Sequence, residues 1–62
     1  MKQEVVQFKG KLWKVTDIDC WFDGETDWAS WELTPYGWDG EKKYVGPTEM
    51  AREVEFVREE EV

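Results

Sequence analysis

The chain has no histidine and a single cysteine, Cys20. One cysteine cannot form an internal disulfide, and without histidine the usual His and Cys zinc sets cannot be assembled. Neither of these common staples of small domains is at hand, and no metal or other cofactor is expected. Serine is as scarce, with Ser30 alone. No histidine can activate Ser30 or Cys20 as a nucleophile. Carboxylates are so widespread that no pair stands out as an acid–base couple. Cys20 reads as an inert, half-buried thiol, and the expectation is a protein that is not an enzyme. Basic residues are the next shortage, eight against 15 acidic, for a net charge of −7. Phosphate contacts need Lys and Arg, so direct nucleic-acid binding is not expected, nor is attachment to an anionic membrane surface. No apolar run approaches the roughly 20 residues of a membrane span. The start, Met1 to Glu4, lacks the apolar stretch of a secretory signal. Together with the lone cysteine, this fits a cytoplasmic setting.

What the chain has in plenty is aromatic side chains, 16% of 62 residues, with five tryptophans. A chain this short buries only about 60% of the surface its unfolded form exposes. Each large ring buries on the order of 150–250 Å², so the rings are the means of building a core. One domain is expected over residues 1–58, with residues 59–62 as an acidic, solvated tail.

Apolar periodicity points to short strands. Glu4 to Lys9 places Val6 and Phe8 two apart on one face, and Lys11 to Ile18 does the same with Trp13 and Val15. If Lys9-Gly10 forms a two-residue turn, Phe8 faces Lys11 and Val6 faces Trp13, which gathers all four apolar residues on one face. Asp19 to Asp27 has the composition of a long polar loop, interrupted by Trp21 and Phe22. Trp28 to Pro35 alternates again, with Trp31 and Leu33 on one face. Pro35 to Lys43 reads as a turn marked by Asp39-Gly40. Lys43 to Val45 reads as a short strand ended by Gly46-Pro47. Thr48 to Ala51 reads as one helical turn capped by Thr48. Arg52 to Arg58 fits a strand, with Val54 and Phe56 alternating against Glu53 and Glu55, and fits a helix through Met50, Val54 and Val57. The β-branched and aromatic residues favour the strand.

The resulting order is hairpin, loop, strand, turn, strand, helical turn and last strand. The residues that carry it are the Phe8-Lys9-Gly10-Lys11-Leu12-Trp13 hairpin, the Trp31-Glu32-Leu33 strand, and Gly46-Pro47-Thr48-Glu49-Met50 leading to Val54 and Phe56. This order resembles the SH3-like small barrel of SH3, Tudor and KOW domains. The resemblance implies a mainly β fold, a small five-stranded barrel with one short helical turn before the last strand. It also implies a binding role, in a fold that serves many unrelated functions. The ALYDY-type signature of SH3 proteins and the basic loops of KOW domains are missing.

Three features bear on a site. Asp17, Asp19, Asp23 and Asp27 surround Gly24, but an EF-hand register from Asp19 puts Trp21 at position 3 and Ser30 where the bidentate glutamate belongs, so this is not an EF-hand. Second, Trp13 and Trp31 fit core positions, whereas Trp21, Phe22, Trp28, Tyr36 and Trp38 fall in or beside loops. Rings rimmed by carboxylates suit a cationic partner. The expected partner is therefore a protein with a basic surface. It would be gripped by Trp21, Phe22, Trp28 and Trp38 and steered by Asp23, Glu25, Asp27 and Asp39. Third, the acidity permits a second reading. Glu53 and Glu55, about 6.6 Å apart on one side of a strand, would belong to an acidic inhibitor, phage-encoded for instance, that imitates a nucleic acid. A third reading is a structural subunit whose aromatics form a homo-oligomer interface.

Overall fold

The structure is a computed structural model and describes residues 1–61. Five strands and one helix follow in the order β1 Lys2–Phe8, β2 Lys11–Phe22, β3 Asp27–Pro35, β4 Lys43–Val45, α1 Pro47–Arg52 and β5 Glu55–Glu61. The strands form one antiparallel sheet in the order β4-β3-β2-β1-β5. The fold is mainly β, as the sequence pattern indicates.

The first hairpin has the expected register. Phe8 pairs with Lys11 and Val6 with Trp13. Both turn residues are left-handed, Lys9 at φ 53° and Gly10 at φ 74°, the backbone that matches the twist of a two-residue hairpin. A Cβ added at Gly10 would meet nothing within 4 Å, so any cost of substitution there is conformational. Gly10→Ala is expected to cost about 1–2 kcal/mol, the penalty of a left-handed L-residue, read as a lower urea midpoint with an unchanged m-value.

The core is small. Val6, Phe8, Trp13, Leu33 and Val45 form its buried cluster, with Val15, Trp31, Trp38, Met50 and Val54 packed around it. Met50 comes from α1, which begins with Pro47 and has Gly46 at its N-cap position, where the Gly46 carbonyl accepts the Met50 backbone N–H at 2.9 Å. Thr48 lies inside the helix and is not its cap; proline at the entry, with φ already helical, moves the start one residue earlier. Val5 is also fully buried, on the opposite side of β1. It lies between Lys14 and Arg58 in the ladder, and both cations reach over the Tyr36 ring, at 5.1 and 5.6 Å from its centroid. The Tyr36 hydroxyl donates to the Glu60 carboxylate, and the Arg58 guanidinium donates to both.

Two expectations about the last strand change. β5 begins at Glu55, because Glu53 is the C-cap of α1 and donates its backbone N–H to the Glu49 carbonyl. Glu53 and Glu55 therefore do not form a row on one strand. At the other end, β5 runs through Glu61, and Glu59, Glu60 and Glu61 pair with Glu4, Gln3 and Lys2 of β1. Glu59 to Glu61 are part of the sheet, where a frayed tail was expected, and the side chains of Glu59 and Glu61 stay exposed. Their charges are met by Lys2, Arg58 and the N-terminal amine. Val62, expected in the same tail, lies outside the described residues.

Candidate functional site

Asp19 to Asp27 is not a long loop. β2 continues to Phe22, β3 begins at Asp27, and their ladder runs unbroken from Asp17–Glu32 to Phe22–Asp27. Only Asp23 to Thr26 turn. The Asp23 carboxylate accepts the backbone N–H groups of Glu25 and Thr26 at 3.0 and 2.9 Å, the local bond that lets aspartate build a turn. Gly24 supplies the positive φ, 102°. Charge density made this segment look like loop. The alternation of Ile18, Cys20 and Phe22, answered by Ala29 and Trp31, was the signal for strand.

The hairpin has two faces, and a bulge decides which residues occupy them. The register slips between Val15 and Asp17, leaving Thr16 without a partner in the ladder, a single-residue bulge. The Thr16 hydroxyl lies 2.7 Å from a Glu32 carboxylate oxygen and 2.8 Å from the Thr34 hydroxyl. Beyond the bulge, cross-strand partners share a face. Trp21 and Trp28 stand together on one side, with Asp19–Ser30 and Asp17–Glu32 behind them. Ile18, Cys20 and Phe22 stand on the other, with Trp31 and Ala29.

Both faces of the tip are apolar and open to solvent. Trp21 is 51% exposed, Trp28 47%, Phe22 60% and Ile18 54%. Cys20 is exposed as well, not half-buried, because the strand that carries it projects past the core. Trp21 and Trp28 stack with centroids 6.4 Å apart and planes 13° from parallel. The Trp28 indole N–H donates to the second oxygen of Asp23 at 2.8 Å. One carboxylate thus closes the turn and pins a ring of the stack. These bonds, the Trp28 indole first and then the Thr26 and Glu25 amides, hold the Asp23 carboxyl below its ordinary pKa.

That shift has a sign. A lowered folded pKa means the charged form is favoured, so this ordering is complete above the ordinary aspartate value and is lost as pH falls through the lowered one. The Trp28 indole N–H signal is expected to move in acid along an Asp23 titration curve. Asp23→Ala is expected to abolish that titration and disorder the Trp21–Trp28 stack while leaving the global unfolding midpoint nearly unchanged. A Trp28 signal insensitive to Asp23→Ala would show that the bond does not hold the ring.

No family model, curated protein or solved structure matches this chain. The candidate site therefore stands on its own geometry.

Of the residues expected at a site, Trp21, Phe22, Asp23, Glu25, Asp27 and Trp28 come together at the hairpin tip. Trp38 and Asp39 do not. Trp38 packs edge-on against Trp13 with centroids 4.7 Å apart. Its indole N–H donates to the Leu12 carbonyl at 2.6 Å, and Gly40 lies so close that a Cβ there would sit 2.2 Å from the Trp38 ring. Trp38 caps the core at the Lys11 end of β2, and the tip is at the Phe22 end. Ile18 and Cys20 are the residues that sequence reasoning missed.

The charge is distributed unevenly. No Lys or Arg occurs between Lys14 and Lys42, a segment that holds eight of the 15 acidic residues, so the net charge of −7 is concentrated there. On the hairpin this places Asp17, Asp19, Asp23, Glu25 and Asp27 around the exposed rings. Among the described residues no group of His, Cys, Asp and Glu side chains is arranged to hold a metal ion, and the four aspartates flanking Gly24 are spread along the two strands and the turn. No helix is long and apolar enough to cross a membrane.

Proposed function

We propose that the protein is a non-catalytic interaction domain that docks a basic protein surface with the tip of its β2–β3 hairpin. The observation that carries this reading is the exposed, ordered Trp21–Trp28 stack, set among carboxylates on a hairpin arm whose own sequence holds no Lys or Arg past Lys14. Leaving large rings in water is unfavourable, and a contiguous exposed apolar patch marks an interaction site. A tryptophan pair ordered before binding loses less side-chain freedom on docking. A cation-rich partner gains from ring faces and carboxylates together. The meander order with the last strand beside the first supports an SH3-like reading of the small β sheet. In that reading the barrel-like body holds the hairpin and the hairpin does the binding.

The imitation of a nucleic acid by an acidic face finds less support. Glu53 caps a helix, and the carboxylates of Glu59, Glu60 and Glu61 are matched by cations in the fold.

The test is capture of a partner from host lysate on immobilised protein at low and high salt, with Trp21→Ala/Trp28→Ala and Trp38→Phe as parallel baits, each checked for folding. The expected result is a partner held by wild type and Trp38→Phe at both salts and lost by the double variant. A partner retained by the double variant and released by salt alone would overturn the reading in favour of charge imitation.

A further inference from the structure

The opposite end of β2 carries the reverse of the hairpin tip. Lys9, Lys11, Lys42 and Lys43 line one open cleft of about 390 Å³, floored by Trp13 and Trp38 and with Glu41 as its one acidic wall. Half of the chain's eight basic residues thus line one cleft of an acidic protein. Three of the four are held in place by neighbours. The Lys11 ammonium sits 4.2 Å from the Trp38 ring centroid and that of Lys9 5.5 Å from the Phe8 centroid, while Lys42 pairs with Glu32 at 3.2 Å. Despite 15 acidic residues in the chain, Lys9, Lys11 and Lys43 make no ion pair among the described residues. Lysines of one cleft that lack counter-charges lower the cost of bringing in an anion.

We infer that this cleft binds a polyphosphate group. Lysine binds phosphate as a compact point charge, whereas the planar arginine fork adds bidentate geometry for carboxylate and phosphate alike, so a cleft of lysines alone selects for charge density. Both arginines of the chain, Arg52 and Arg58, are absent from the lining. Several lysines along one cleft suit an anion with several charges close together. Trp38 is covered by Trp13, Gly40 and Lys11, so the phosphates and not a stacked ring would be the recognised part. This site is separate from the hairpin tip, and its test does not depend on the docking role.

The experiment is a titration of the labelled protein followed by amide and indole NMR at low salt, with sodium tripolyphosphate, ATP and hexaglutamate as separate probes. Tripolyphosphate is expected to shift the Lys9, Lys11, Lys42 and Lys43 amides and the Trp38 indole at saturable concentrations. Lys9→Asn/Lys43→Gln is expected to weaken binding by about tenfold or more, the size of losing charged hydrogen bonds; asparagine keeps the left-handed turn at position 9. Lys2→Gln/Arg52→Gln removes the same charge elsewhere and is expected to leave binding nearly unchanged. Tighter binding of ATP than tripolyphosphate would assign a nucleotide, and equal binding a free polyphosphate; both fit the inference. It is overturned by absence of shifts at millimolar probe, by equal loss in the two double variants, or by hexaglutamate binding more tightly than tripolyphosphate.

Discussion

Trp13→Ala is expected to unfold the protein at room temperature. Stability scales at roughly 0.05–0.15 kcal/mol per residue, which puts a chain of 62 residues at about 3–9 kcal/mol. Removing a buried tryptophan side chain costs about 3–5 kcal/mol, which exhausts a margin in the lower part of that range. Trp13 is 2% exposed, and its neighbours have little freedom to fill the gap. Phe8 packs against it at a tilt of 59°, Trp38 meets it edge-on, and its indole N–H donates to the Phe8 carbonyl at 3.0 Å. The truncation would undo the first hairpin, the anchor of Trp38 and the centre of the core together. Trp13→Phe separates the parts. It keeps a ring in the core and leaves the Phe8 carbonyl without its donor, at an expected cost of about 1–3 kcal/mol, so this variant should fold with a lowered midpoint. Far-UV circular dichroism with urea unfolding checks both. A Trp13→Ala midpoint equal to wild type would mean that the core does not centre on this residue.

Trp13 is also a position at which the sequence was legible, and the reasons separate what could be read from what could not. Val6, Phe8, Trp13 and Val15 alternate around a Lys-Gly turn, so period and turn chemistry agree, and the register follows from them. The same holds for Leu33 in β3 and for Gly46-Pro47 at the end of β4 and the entry to α1. The segment from Asp19 to Asp27 failed for a physical reason. Past the core the strand is open to solvent on both faces, so β2 carries aspartates and large rings whose composition reads as loop and outweighs the alternation of Ile18, Cys20 and Phe22. The bulge at Thr16 then exchanges the faces, and the apolar phase of β2 passes from Trp13 and Val15 to Ile18, Cys20 and Phe22. Trp38 failed in the opposite sense. It sits in a turn by composition, yet its ring belongs to the core, because a sheet of this size is closed at its end by whatever large side chain the nearest turn can supply. At the candidate site, the residue types and their charged setting were legible. Which of the aromatics stand together was not, since that depends on the length of the hairpin arm.

Loss of the Trp21–Trp28 stack is expected to be the largest single effect on partner binding. Tryptophans at the centre of an interface commonly carry 2 kcal/mol or more each when truncated, so about 30-fold per ring and on the order of a thousandfold for Trp21→Ala/Trp28→Ala if the two add. They should add imperfectly, because the rings stack on each other at 6.4 Å and each orders the other before binding; residues in contact couple. The single variants should therefore each lose more than half of what the double variant loses, measured in free energy. Trp28→Phe keeps much of the ring area and gives up the bond to Asp23, so its affinity should fall between wild type and Trp28→Ala. Changes to Glu25 and Asp27, on the rim, should mainly slow association and flatten its salt dependence. The dissociation rate should follow the rings instead, because the buried anchors hold the complex once it has formed. The core should register none of this. The exposed tip contributes no residue to the buried cluster, and the double variant is expected to unfold at the wild-type urea midpoint. If it binds its partner as tightly as wild type while folded, the hairpin tip is not the docking surface.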